Sequence, residues 1–252
     1  MPSVITILTD FGTADGYLAE MKGVLLTLAP TAQLVDASND IPPQDIELAR
    51  LTLARYWRRY PSGTVHLVVV DPGVGSERRA IAVRSDDRFL VGPDNGVLSP
   101  ALLLPRAEAV VLPVPRGVSA TFHGRDIFAP AAALLVSGTP LSSLGSPCPD
   151  PVIRRTPEVV RIGDGIVRGE VIAVDRFGNL ITNLVTGSAA TVEIGPHLLP
   201  LQRSYSFADA GALVALTGSS GLIEIAVRDG NAAMRLGVGR GTTVMLRSVT
   251  RD

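Results

Sequence analysis

The chain has 252 residues, a formal net charge of −1 and a single cysteine, Cys148. This excludes an intrachain disulfide and gives no like-charge run to meet nucleic acid or an anionic membrane. Apolar residues make up 46% and charged residues 19%, more apolar surface than one monomer easily hides, so the composition points to self-association.

The length allows one large domain or two moderate ones, and two is the reading preferred here. The start, MPSVITILTDFG, enters a strand directly, without a basic leader or long apolar run, and no stretch is long and apolar enough to cross a bilayer. The expectation is a cytoplasmic protein with a small-molecule partner, no nucleic acid and no membrane.

Val4 to Leu8 reads as a short apolar strand ending in Thr9-Asp10-Phe11-Gly12. From Asp15 to Leu28 the spacing of Tyr17, Met21, Val24, Leu25 and Leu28 predicts a helix, with Asp15 as its cap and Pro30 as its stop. A strand over Gln33 to Ala37 and a helix over Asp45 to Tyr60 follow. The next strand organises the chain: Val65 to Arg79, VHLVVVDPGVGSERR, is a β-branched run that stops at Asp71 and turns through Pro72, Gly73 and Gly75 towards two arginines. Such a run fits a buried parallel strand, whose carboxyl end is where open α/β sheets place ligands. Asp, Pro and Gly are also ordinary turn residues, so Asp71 alone does not define a site. Alternation of strands and helices predicts a mostly parallel sheet with right-handed crossovers.

Beyond Arg79 come shorter strands, Ala80 to Arg84, Phe89 to Val91 and Ala109 to Pro113, with Gly92-Pro93-Asp94-Asn95-Gly96 as a turn. Thr121 to Asp126, TFHGRD, introduces a helix over Ile127 to Ser137, and His123 in that loop is a candidate proton carrier. Gly145 to Pro157 carries four prolines and no periodicity, which places the boundary there: residues 1–148 as one domain, 149–158 as linker, 159–252 as the second. After it the pattern is all short strands: Val167 to Val174, Leu180 to Leu184, Ala190 to Ile194, Leu213 to Thr217, Ile223 to Val227 and Thr242 to Leu246, a small antiparallel barrel or sandwich. Asp175-Arg176-Phe177-Gly178-Asn179, Phe207 to Gly211 and Ser219-Ser220-Gly221 interrupt these strands, two of them with an aromatic that plain turns rarely carry.

Six segments in one order, TDFGTADGY (9–17), VVDPGVGSERR (69–79), GPDNGVL (92–98), FHGRDIFAPAAA (122–133), DRFGNLITN (175–183) and FADAG (207–211), resemble the S-adenosylmethionine hydroxide adenosyltransferase family, relatives of fluorinase and chlorinase. The resemblance implies an α/β fold, with an N-terminal Rossmann-like, mostly parallel domain before a smaller C-terminal antiparallel β-barrel domain. It also implies a homotrimer with sites between subunits. The implied reaction is hydrolysis of S-adenosyl-L-methionine to adenosine and L-methionine. Water or hydroxide attacks ribose C5′ opposite sulfur, and the S-adenosyl-L-methionine is substrate, so no cofactor and no metal are implied.

The family's catalytic trio carries over to Asp71, Arg78 and His123; Arg79 is the alternative arginine, but the seven-residue offset from the aspartate matches Arg78. Which of the three is the base stays open at this stage. For the substrate, the resemblance puts Asp10 on the ribose hydroxyls, Asp15 and Asp175 on the methionine ammonium, Phe177 and Phe207 on the adenine faces, Asn179 on an adenine edge and Ser219 on the methionine carboxylate. The chain departs from fluorinase at Ser220, where fluorinase has an arginine, near Gln44, where its tryptophan is absent, and at Gly124, where it has a serine that helps to hold fluoride. Gly124 is shared with chlorinase. A chlorinase-like halide transfer and a non-catalytic S-adenosylmethionine or adenosine sensor are therefore the alternative functions.

Overall fold

A computed structural model of the chain describes residues 3–248. The chain divides into two compact units, Met1–Arg155 and Thr156–Asp252. The first holds β1 (Val4–Thr9), α1 (Tyr17–Leu28), β2 (Gln33–Ser38), α2 (Ile46–Tyr56), β3 (Val65–Val69), β4 (Ala80–Ser85), β5 (Arg88–Pro93), α3 (Ser99–Leu102), β6 (Glu108–Leu112), α4 (Ala129–Val136) and β7 (Ser146–Pro147). Its seven-stranded sheet has the order β2-β1-β3-β5-β4-β6-β7. Strands β2, β1, β3, β5 and β6 point one way, and only β4 and β7 run against them.

Every residue of β3 is buried because both faces of the sheet are covered. On one face Val65, Leu67 and Val69 pack with Met21 and Leu25 of α1 and with Ala132 and Leu135 of α4. On the other, Val68 and Val70 pack with Ala49 and Leu53 of α2 and with Trp57. His66 shares that second side. Its Nδ1 lies 2.7 Å from Thr6 Oγ1, and burial together with the Arg88 charge holds it down at a pKa of about 3. It is a neutral core histidine.

The chain leaves β1 for β2 on one side and returns past β1 to β3, so the strand order reverses beside β1 and β3. A crevice opens outside the carboxyl ends of strands at such a switch point. Asp10 follows β1, Asp71 follows β3, Asp94 follows β5, and Arg78 lies just before the antiparallel β4, separated from it by Arg79, at the same edge.

The second unit holds β8 (Val160–Gly163), β9 (Ile166–Val174), β10 (Leu180–Thr182), β11 (Ala190–Ile194), β12 (His197–Gln202), β13 (Leu213–Thr217), β14 (Ile223–Val227), α5 (Ala232–Leu236) and β15 (Thr243–Ser248). The order β10-β14-β13-β12-β11-β15-β9 closes through a β10–β9 pairing, with β8 attached to β9 outside the ring. The barrel is antiparallel at every pairing except β12–β13, which is parallel. Its interior is apolar: Val171, Leu180, Val192, Ala215, Ile223, Ile225 and Val244.

Several local expectations are corrected. Gly16, not Asp15, is the N-cap of α1; it is left-handed at φ 80°, and no side chain caps the helix. Asp45 does cap α2, accepting from Leu48 N–H, but α2 ends at Tyr56 and a 3₁₀ turn covers Trp57–Arg59. The helix expected from Ile127 starts earlier, with a π-turn over Gly124–Phe128. Gly92 and Pro93 belong to β5 rather than to the turn after it.

Candidate active site

The strand ends of the first unit bring Asp71, Arg78 and His123 into one hydrogen-bonded chain. Arg78 Nε donates to Asp71 Oδ1 at 2.9 Å, Arg78 Nη2 donates to Asp71 Oδ2, and the same Nη2 lies 3.0 Å from His123 Nδ1. Both ionic side chains are nearly closed off, with 9% of Arg78 and 5% of Asp71 exposed. The fork geometry fixes the carboxylate plane as well as its charge. Arg78 also lies over the Phe128 ring, 5.2 Å from its centroid.

The loop between Asp71 and Arg78 folds on itself. Val74 N–H donates to Asp71 C=O, and Ser76 N–H and Oγ both donate to Gly73 C=O. Gly73 faces Asp71 and Arg78 directly, where a Cβ would come within 3.3 Å of Arg78 Cγ. His123 is buried at the start of the π-turn, and burial and the Arg78 charge push its pKa below the ordinary histidine value against the pull of Asp71 and Asp126. Arg78 Nη1 is buried and finds no acceptor among the described residues.

Asp10 lies at the adjacent strand end. Its Oδ2 accepts from Gln44 N–H at 2.7 Å, with Gln44 held at φ 67°. Asp15 is exposed in the turn before α1. Arg79, the alternative arginine, points elsewhere: it pairs with Asp94 and Asp150.

In the second unit Asp175, Phe177 and Asn179 share the β9–β10 loop. Asp175 Oδ1 accepts from Phe177 N–H and Asn179 N–H, both at 2.9 Å, and its Oδ2 accepts from Asn179 Nδ2 at 3.0 Å. Asp175 therefore builds the loop, and one amide hydrogen of Asn179 is already used. Phe177 and Phe207 are 75% and 61% exposed, large rings turned to solvent rather than to the core. Ala233 N–H donates to Gly178 C=O and Arg228 Nη1 to Ala208 C=O, so the segment around α5 ties both phenylalanine loops to one end of the barrel. The β13–β14 register puts Ser219 at the other end of that hairpin, with Thr217 opposite Ile223. Among the described residues no three His, Cys, Asp or Glu side chains gather as a metal site.

A doubly wound sheet with a buried carboxylate, guanidinium and imidazole chain at its switch point is the layout of a small-molecule enzyme. The chain belongs to the SAM hydroxide adenosyltransferase family: residues 5–145 match the family's N-terminal domain and residues 169–245 its C-terminal domain. It is 41% identical to the (R)-S-adenosyl-L-methionine hydrolase of Thermus thermophilus, over 96% of this chain and 98% of that protein. Similarity to the fluorinase of Nocardia brasiliensis is 26% identity over 97% of this chain and 96% of that one. A crystal structure of an uncharacterized conserved protein from Thermotoga maritima has a TM-score of 0.87 at 33% identity, covering 96% of this chain and 99% of that one.

Proposed function

We propose that this protein hydrolyses S-adenosyl-L-methionine to adenosine and L-methionine. The carrying observation is the buried Asp71, Arg78 and His123 chain with one guanidinium N–H unanswered. It supports a site that holds an oxygen nucleophile. Water attacks C5′ as the C5′–S bond breaks, the electron pair goes to sulfur as neutral thioether, and the water proton is released. The sulfonium charge disappears in this step, so a dry pocket favours the transition state over the solvated reactants. Alignment of nucleophile, carbon and sulfur supplies roughly 7–11 kcal/mol when the reacting atoms are held at near-attack distance.

In this reading Arg78 Nη1 donates to the attacking oxygen, and the paired Asp71 leaves the guanidinium charge offset beside a cationic substrate. A guanidinium only donates, so His123 Nδ1 supplies the lone pair and its proton sits on Nε2. His123 then acts as a donor that steadies the nucleophile, and Asp71 is the group left to take the proton. Asp10 Oδ1 receives the ribose hydroxyls, Phe177 and Phe207 stack on adenine and Asn179 Oδ1 accepts from its amino group. Asp15 meets the methionine ammonium. Asp175 has less to offer that ammonium, since its loop already uses both carboxylate oxygens, and Ser219 is assigned to the methionine carboxylate. No cofactor or metal takes part in this scheme.

The apolar surplus and the family resemblance support a cytoplasmic homotrimer whose sites combine the two residue groups from neighbouring subunits; mass measurement in solution tests the trimer. The relatives' name specifies the R configuration at sulfur, so the assay uses both sulfonium epimers. Adenosine formed from S-adenosyl-L-methionine, followed by chromatography and unchanged by added chloride or fluoride, supports hydrolysis. Binding without adenosine would instead mark a sensor, and 5′-halo-adenosine a halide transferase.

A further inference from the structure

The two residues that pair at the centre of the site, Asp71 and Arg78, lie at opposite ends of one loop. Bonds inside the loop, from Val74 N–H to Asp71 C=O, from Ser76 to Gly73 C=O and from Arg78 N–H to Ser76 Oγ, shape its interior. Two consecutive residues after β5 hold its ends from outside. Asn95 Nδ2 donates to Val70 C=O at 2.9 Å, one peptide before Asp71. Asp94 Oδ2 accepts from Arg79 Nε at 2.7 Å, and Asp94 N–H donates to Arg79 C=O at 2.9 Å, one peptide after Arg78.

These anchors are themselves fixed. The Asp94 side chain is 1% exposed, and its second oxygen accepts from Val152 N–H at 2.7 Å. Asn95 Oδ1 accepts from Val97 N–H at 3.1 Å, which turns the amide so that its nitrogen faces Val70. Arg154 Nε donates to Asn95 C=O at 2.8 Å, and Arg79 is held from outside by Asp150. A buried carboxylate against an arginine and an oriented amide on a buried carbonyl are costly to assemble unless each member is satisfied, and here each is.

We propose that Asp94 and Asn95 are positioning residues that clamp the two ends of the 70–79 loop and so set Asp71 and Arg78 in the register that their fork requires. This rests on the catalytic reading of Asp71 and Arg78 given above. The chemistry asks for such a clamp, because misplacing a reacting group by about 1 Å can cost on the order of 100-fold in rate.

The test is steady-state kinetics on S-adenosyl-L-methionine with N95A, N95D and D94N, each made in the wild-type and in the D71N background. N95D keeps the size of Asn95 and the acceptor for Val97 N–H and replaces the donor to Val70 by a charged oxygen that cannot bond that carbonyl, so it loses the anchor in a second way if N95A fails to fold. Each single variant is expected to lower kcat by about 10- to 100-fold with KM within about twofold. In the D71N background N95A and N95D should each cost less than about twofold more, since the anchor at Val70 acts through Asp71, whereas D94N, which holds the Arg78 end, should keep part of its loss. Wild-type kcat in N95A and N95D, or losses of these two that multiply with that of D71N, overturn the clamp. If D71N itself runs at the wild-type rate, the catalytic reading falls and takes the clamp with it; if D71N is slow and the Asn95 variants are not, the clamp alone falls.

Discussion

Arg78 Nη2 lies 3.0 Å from His123 Nδ1, and because the guanidinium can only donate, that ring nitrogen must be unprotonated. Protonating His123 therefore breaks the bond and sets two cations against each other. Burial and Arg78 both lower its pKa, so the folded protein keeps the neutral ring below the ordinary histidine value of about 6.5. Stability from this contact is present above pH 6.5 and is lost as pH falls through the depressed pKa. The acid limb of kcat/KM is expected below pH 6.5. Activity that instead falls as pH rises through the histidine range would mean that the ring works as imidazolium.

Asp71→Asn keeps the shape of the side chain and removes the acceptor charge. A fall in kcat of about 10²- to 10⁴-fold is expected, the usual size of general acid–base assistance, with the dissociation constant for substrate changed far less. Normal turnover with a much lower melting temperature would reduce Asp71 to the cap of a turn.

Phe177 and Phe207 keep most of their surface exposed, so truncating either should cost folding little and weaken substrate binding. Stacking of a base on an aromatic ring is commonly worth about 1–3 kcal/mol, and F177A and F207A are each expected to raise KM accordingly. Isothermal titration with adenosine checks this; unchanged affinity in both variants would remove the adenine assignment.

Gly75 sits at φ 76°, and a Cβ there would lie 2.5 Å from Ala120 C=O, a backbone atom that cannot swing away. Gly75→Ala strains the 70–79 loop and pushes on the segment leading to His123. A loss of about 1–3 kcal/mol in chemical denaturation is expected, as for other overpacked sites, together with slower turnover.

Much of this could be read from residue order. The central strand announced itself because β3 is buried at every position, which demands an unbroken apolar run. β12, HLLPLQ, escaped because its residues alternate between half-buried and exposed and it contains Pro200. β8, VRIG, escaped because it is exposed throughout and follows the proline-rich stretch. Asp71 is visible from its place at the strand end and His123 from its loop before a helix, whereas Arg78 comes from the family resemblance. Asn95 was hidden for a plain reason: Asp-Asn-Gly is ordinary turn chemistry, and its carbonyl partner, Val70, lies 25 residues away. The Arg79 bond to Asp150 spans 71 residues, and no local pattern encodes it. Part of the expected linker consequently docks on the first unit, with Asp150, Val152 and Arg154 all bonded there.

The most direct measurement is hydrolysis of S-adenosyl-L-methionine in ¹⁸O-labelled water, with the products read by mass spectrometry. In-line attack on C5′ puts the solvent oxygen in the 5′-hydroxyl of adenosine and none in methionine, and the reaction should slow with D71N. Unlabelled adenosine, label in methionine, or no adenosine from either sulfonium epimer would contradict the account.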